Sequence, residues 1–326
     1  MYVSQTPLAA ARRQPVAGLS YLIISGTLWG TGGLTGSLLG RTADLPPLAV
    51  ATYRLAVGGA LIVAFLVVTG RRLPRGRAAW TRIVVVGVLA AVFQVCYFVS
   101  VSLTSVSLGT LVTIGTAPVL VLAVERVTGR RRADRWMAGA ICLALAGLGL
   151  LVGLPSAGFG PLATLASAAL AVIAAAGFAA VTLVGTRPVP GLDELSTTGL
   201  AFAVGGLLLV PLAGSAGGLG FGLSPATVGL LVALGTAPTA VAYTLYFRGL
   251  RTVAASTAAL MALLEPLVGA LLAALVLGDR LGVSGVIGAV LLAAAVVLAA
   301  RAPTAPVSRT SSGSTRPSGA STVNDA

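Results

Sequence analysis

The sequence contains no lysine and no histidine, and only 9% of its 326 residues are charged. Without lysine there is no Schiff-base amine and no phosphate-loop lysine, so the signature G-x-x-x-x-G-K-[ST] is absent and this chain alone is not an ATP-driven pump. Without histidine it lacks the commonest metal ligand and the commonest general base. Two cysteines, Cys96 and Cys142, lie inside apolar runs, where packing outweighs a disulfide or a metal role. No grouping resembles a hydrolytic triad, no metal or cofactor is expected, and the chain does not read as a soluble enzyme.

Hydrophobic residues are abundant: 57% of the total, with a mean hydropathy of +1.01. Soluble domains carry about 25% charged residues. A chain this apolar cannot clothe itself for water, and lipid must be its main solvent. In lipid the backbone has to satisfy its own hydrogen bonds, which leaves helices or closed barrels. Barrel strands alternate apolar and polar residues; here the apolar runs are continuous and about 20 residues long, the helical length for a ~30 Å hydrocarbon core. The expected fold is therefore all-α and integral to the membrane. Spans are expected near 17–39, 46–69, 80–102, 106–127, 134–153, 161–186, 195–214, 225–248, 253–276 and 281–300, ten in all. The first run is longer than a signal-peptide core of about 7–15 residues and reads as a retained helix. Residues 1–16 form an amino-terminal segment. Residues 301–326, rich in Ser, Thr, Pro, Ala and Gly, are expected to be a disordered tail.

A net charge of +13 suggests nucleic acid at first sight, but every basic residue is arginine and most sit in short loops between apolar runs. With ten spans and an internal amino terminus, 18 arginines fall inside and only Arg41 and Arg280 outside, with Arg54 in a span. That asymmetry is the positive-inside pattern. Both termini are expected on the cytoplasmic side, and no nucleic-acid partner is expected. The composition, rich in Ala, Arg and Gly, is that of a GC-rich bacterial genome, which places the protein in a bacterial inner membrane.

The two halves share a pattern. Leu103-Thr104-Ser105-Val106-Ser107, Pro118-Val119-Leu120 and Gly129-Arg130-Arg131 in the first half are matched by Leu250-Arg251-Thr252-Val253-Ala254, Glu265-Pro266-Leu267-Val268 and Gly278-Asp279-Arg280-Leu281 in the second. Five spans per half is odd, so the copies must have opposite orientation, an architecture of secondary transporters whose substrate site lies near the midplane between the halves. Together with Leu28-Trp29-Gly30 and with Pro47 and Arg54, these elements make residues 17–300 resemble the EamA-type drug/metabolite transporters. The resemblance implies ten spans as two inverted five-helix repeats, 17–153 and 161–300, and carriage of a small metabolite or drug-like molecule, often outward. Arg131 departs from the family's pattern, which usually has an acidic residue there.

Charges inside a span cost about 2.5–3.5 kcal/mol on insertion scales, so each needs a partner or a task. Arg54 and Glu265 qualify, at estimated depths of about 11 Å and about 12 Å from the same face. Three roles compete. Glu265 can carry a proton in a coupled exporter; the pair can bind a zwitterion; or Arg54 and Glu265 can form a static bridge or bond separately to the backbone. Trp29 stands in mid-span, where it either meets substrate or packs helices. Gln94 and Tyr243 are further cavity candidates, whereas Tyr97 and Tyr246 near span ends read as interfacial anchors, and Glu125 as an interfacial residue. The set Gly32, Gly36 and Gly40 reads as a close-packing stripe. Pro118, Pro238 and Pro266 are expected to kink or soften their helices. The expected function is a secondary transporter exporting a small molecule by alternating access, with the lipid bilayer as its environment. The alternatives are an intramembrane lipid-modifying enzyme or a membrane sensor.

Overall fold

A computed structural model describes residues 16–130, 135–153, 158–278 and 282–302. The expected amino-terminal segment before Val16, the tail beyond Ala302, and Arg131, Asp279, Arg280 and Leu281 lie outside the described residues. Among those described, the structure is helical throughout, without strands. The helices are α1 (Val16–Ala43), α2 (Pro47–Val68), α3 (Arg77–Leu103), α4 (Val106–Val127) and α5 (Arg135–Val152) in the first half. The second half contains α6 (Pro161–Gly185), α7 (Glu194–Ser215), α8 (Pro225–Gly249), α9 (Ala255–Val276) and α10 (Val283–Arg301). Among the described residues, helices α2 to α10 are the nine that are long and apolar enough to cross a membrane. Helix α1 differs from the sequence expectation. Its 28 residues span about 42 Å at 1.5 Å per residue, but glycine, serine and threonine dilute its hydropathy. Those small residues serve packing, since α1 lies along both α8 and α9.

The helix starts follow local chemistry. Proline occupies the first turn of α2, α6 and α8, where its missing N–H leaves no bond unmade. Ser105 caps α4 by accepting from the Leu108 N–H at 3.2 Å. Asp193 caps α7 through the Ser196 N–H at 2.6 Å, and Ser224 with Thr227 forms a capping box on α8. Helix α9 has no cap of its own. Its Ala255 and Ser256 N–H groups donate instead to Glu125 on α4, at 3.1 and 3.3 Å. Glu125 is buried, and its expected interfacial position is corrected accordingly: the orphan donors of a helix start attract a carboxylate.

Helix α2 lies along α7, α3 along α6 and α7, α4 along α6 and α9, and α5 along α10. Small side chains mark the closest helix contacts. Ser100 on α3 and Ser167 on α6 each donate to the other's carbonyl at 2.9 Å. Of the expected set 32, 36 and 40 in α1, only Gly32 meets a close neighbour: a Cβ there would stand 3.0 Å from Pro238 Cβ of α8. A methyl on Gly36 or Gly40 would meet only ordinary contacts, whereas a Cβ on Gly26 would stand 2.6 Å from the Met261 carbonyl and one on Gly30 3.0 Å from that of Glu265. Sequence spacing is the same for both rows; only the neighbour's position distinguishes them.

On α5, a Cβ at Gly147 would stand 2.7 Å from the Leu292 amide of α10, while Gly149 on the same helix has open space. Gly147→Val should therefore destabilise the protein by about 1–3 kcal/mol, the usual cost of overpacking, and Gly149→Val should not. Thermal unfolding of the two purified variants in one detergent measures the difference.

Candidate functional site

A cavity of about 90 Å³ lies between the halves. Trp29 of α1, Arg54 of α2, Gln94 of α3, Tyr243 of α8 and Glu265 of α9 all line it. The structure thus brings together all five residues singled out from the sequence, although 236 positions separate the first from the last. Phe93, Tyr97, Phe98, Thr113 and Phe178 complete most of the wall. This volume is small beside the ~300–1,000 Å³ of sites that enclose drug-sized ligands.

Two helices are irregular where they meet the cavity. In α8, Pro238 lies in a π-helical segment, Thr236–Val241. Proline cannot donate to the carbonyl one turn back and its ring crowds that carbonyl. The Leu234 carbonyl is satisfied instead by the Thr239 hydroxyl at 2.8 Å. The Thr239 oxygen in turn accepts from Arg54 Nε at 3.3 Å, and the Pro238 carbonyl accepts from Arg54 Nη2 at 3.3 Å. Arg54 is therefore tethered to the irregular turn of α8. In α9, regular helix stops at Met261 and restarts at Leu264, just before Pro266. There the Glu265 N–H bonds three residues back to the Ala262 carbonyl at 3.0 Å. Glu265 thus sits at the restart of a broken helix.

No ion pair joins Arg54 to Glu265 among the described residues, and the static bridge allowed by the sequence is not formed. Of the structural roles considered, Arg54 adopts hydrogen bonding to a neighbouring helix. Both side chains are half-buried and border the cavity.

Trp29 is 2% exposed and packs edge-on against Tyr243, with ring centroids 4.8 Å apart, and against Phe178 at 5.9 Å. Its Nε1 and the Ser25 hydroxyl one turn earlier have no hydrogen-bond partner among the described residues. Gln94 is 5% exposed. Tyr97 and Tyr246 are not interfacial anchors. Tyr97 lines the cavity, with its hydroxyl 2.8 Å from that of Thr110, and Tyr246 is buried, with its hydroxyl 2.8 Å from that of Thr182 and its ring 4.9 Å from Trp29. Distance along a helix misplaced them because it says nothing of which neighbours surround a residue. The aromatic wall of α3 had a sequence signal that went unused: Phe93 and Tyr97 are four residues apart, hence on one helical face, and their rings stack at 6.1 Å.

Thr239→Val keeps the side chain's shape but leaves the Leu234 carbonyl and Arg54 Nε without their shared partner. A loss of about 1–3 kcal/mol is expected for such buried groups, to be measured by denaturant or thermal unfolding against Thr244→Val. Thr244 bonds only within its own helix, at 2.7 Å to the Ala240 carbonyl.

The chain matches the EamA-like transporter family twice, over residues 16–153 and 165–301. It is 29% identical over 284 residues to the "Uncharacterized transporter YwfM" of Bacillus subtilis (strain 168), covering 87% of this chain and 93% of that protein. A crystal structure of a protein sharing 18% identity superposes with a TM-score of 0.72, covering 86% of this chain and 97% of that one, a likeness of fold.

Proposed function

The chain belongs to the EamA-like transporter family, and we propose that it is a secondary carrier that exports a small molecule by alternating access, with Trp29, Arg54, Gln94, Tyr243 and Glu265 along the substrate path. The observation that carries this reading is the cavity itself. One pocket, walled by helices of both halves, holds Arg54 and Glu265 together, and two of its helices are interrupted there. Discontinuous helices at a site between repeats are the device by which secondary transporters expose backbone to substrate.

The two segments that match the family support two repeats, 17–153 and 161–300. Packing supports a two-fold relation between them, which an odd number of spans per half turns into an inversion. When each helix is exchanged for the one five places away, the contacts of α1 with α8 and α9 become those of α6 with α3 and α4. The contact of α2 with α8 becomes that of α7 with α3. The pairs α2–α7, α4–α9 and α5–α10 map onto themselves. Ten spans follow when α1 is counted as crossing, and the arginine distribution then puts both termini in the cytoplasm. In that orientation the Tyr246–Thr182 contact, near the last turns of α8 and α6, lies on the cytoplasmic side of the cavity, beneath the rings of Trp29 and Phe178. Together they form an inner closure that has to part when the site opens inward.

Glu265, unpaired with Arg54, is free to take up and release a proton as the site alternates. Arg54 is held by Nε and Nη2, which leaves Nη1 to an oxygen of the substrate. An intramembrane enzyme would need a convergent nucleophile and acid–base pair, and the chain has no histidine or lysine to supply one.

Untargeted metabolite profiling of the medium from cells expressing the wild type or Glu265→Gln, at matched membrane levels, tests this. A compound that accumulates outside with the wild type, and at least about tenfold less with the variant, is the expected result; that loss equals about 1.4 kcal/mol. Equal export by both would sink the proton role of Glu265. A medium unchanged by the wild type, together with uptake of an external compound, would reverse the direction.

A further inference from the structure

We propose that the groove between the start of α3 and the end of α6 binds the headgroup of an anionic phospholipid, with Arg77, Arg82 and Arg187 on its phosphodiester. This inference rests on the membrane location of the chain and not on the transport reading.

The groove measures about 520 Å³ and is lined by Arg77, Thr81, Arg82 and Val85 of α3, by Val184 of α6 and by Arg187 just beyond it. Three guanidinium groups thus converge, and no carboxylate stands among the described lining residues. Glu194, which lines an adjoining pocket with Arg82 and Arg187, is paired with Arg251 at 2.6 Å, and Asp193 with Arg71 at 3.1 Å. Arg77, Arg82 and Arg187 have no carboxylate partner among the described residues. Arg82 is not an independent charge either: it is partly buried, and the like charges of Arg251 and Arg187 act on it. An anion would relieve that repulsion.

Arg82 is also held in place. Its Nη1 donates to the Val184 carbonyl at the end of α6, which fixes one guanidinium at the mouth of the groove, while Arg77 and Arg187 are exposed. A rigid planar fork flanked by two mobile ones suits phosphate oxygens.

Apart from Thr81, the rest of the groove is lined by alanine and valine. Val85 stands two helical positions deeper than Ile83 on α3 and remains 39% exposed; with Val184 it offers a hydrocarbon floor directly below the arginines. A free phosphate would use only the charged rim. A phospholipid would use both parts, phosphate at the rim and acyl chain on the valines. Basic pockets between spanning helices on the cytoplasmic side are suited to such headgroups. The positive rim occurs at the level where the helix leaves the apolar run, since Arg77 is the first residue of α3.

The test uses the full chain reconstituted in nanodiscs of phosphatidylcholine, with or without phosphatidylglycerol of the same acyl chains, and reads the thermal unfolding midpoint. Phosphatidylglycerol should raise the wild-type midpoint by roughly 3–6 °C. Arg77→Gln/Arg187→Gln should lose most of that increment while unfolding as the wild type does in phosphatidylcholine alone. The comparison variant Arg126→Gln/Arg130→Gln removes two inner-loop arginines elsewhere and should keep the increment. If both double variants lose it equally, the effect is general surface charge and the site is refuted. If inorganic phosphate added to phosphatidylcholine discs reproduces the increment in full, the occupant is a free anion and the lipid assignment is overturned. An increment unchanged in Arg77→Gln/Arg187→Gln also overturns it.

Discussion

The hydrocarbon core of a bilayer offers backbone groups no water, and most of this structure depends on that constraint. Every apolar run becomes a helix because only there can each N–H and C=O find a partner within the run. Irregular backbone is then permitted only where protein groups restore what is lost. The clearest case is α8. Pro238 disrupts the ladder, the Thr239 hydroxyl takes the freed Leu234 carbonyl, and Arg54 reaches across from α2 to bond both Thr239 and the Pro238 carbonyl. A charge that would be costly in a span is thereby bonded to a helix that would otherwise be incomplete. The same exchange joins α4 to α9, where a buried carboxylate serves the unpaired start of a helix with no cap of its own. In both cases a polar side chain on one helix completes the backbone of another, so the two helices become dependent on each other's position.

Close approach of helices is the second consequence. Lipid tails are as apolar as leucine, so helices associate through tight packing more than through hydrophobic exclusion. Small residues make that packing possible. Gly26 and Gly30 bring α1 against the carbonyls at the break in α9, and the Ser100–Ser167 pair ties α3 to α6. Because α1 is packed so closely, Trp29 reaches the cavity centre, where the rings of Tyr243, Phe178 and Tyr246 surround it. A compact aromatic cavity with one tethered arginine and one unpaired carboxylate results from these backbone contacts. Its contents are set by seven helices from two halves, which is why alternation between halves and access to the site are one process in the proposed mechanism.

Much of the candidate site was legible in advance. A charge or a central tryptophan inside an apolar run is costly enough to stand out in one dimension, as Arg54, Glu265 and Trp29 do, and Gln94 and Tyr243 stand out as polar tips deep in their runs. Tyr97, Tyr246 and Glu125 were misplaced, because a residue near the end of a run is interfacial only if no neighbouring helix covers it. Likewise, the glycines of α1 form several rows of equal spacing, and nothing local tells which row meets a partner.

The sequence by itself determined that the chain is helical and membrane-bound, since composition and run length state the solvent and the solvent dictates how backbone bonds are made. It also determined which side chains are too polar for their surroundings. The tertiary structure alone decided that Arg54 bonds to α8 and forms no ion pair with Glu265, that Glu125 caps α9, and that aromatic rings from α1, α6 and α8 close together. These outcomes depend on distances between segments far apart in the chain, and helical periodicity fixes a residue's face without fixing what lies opposite it.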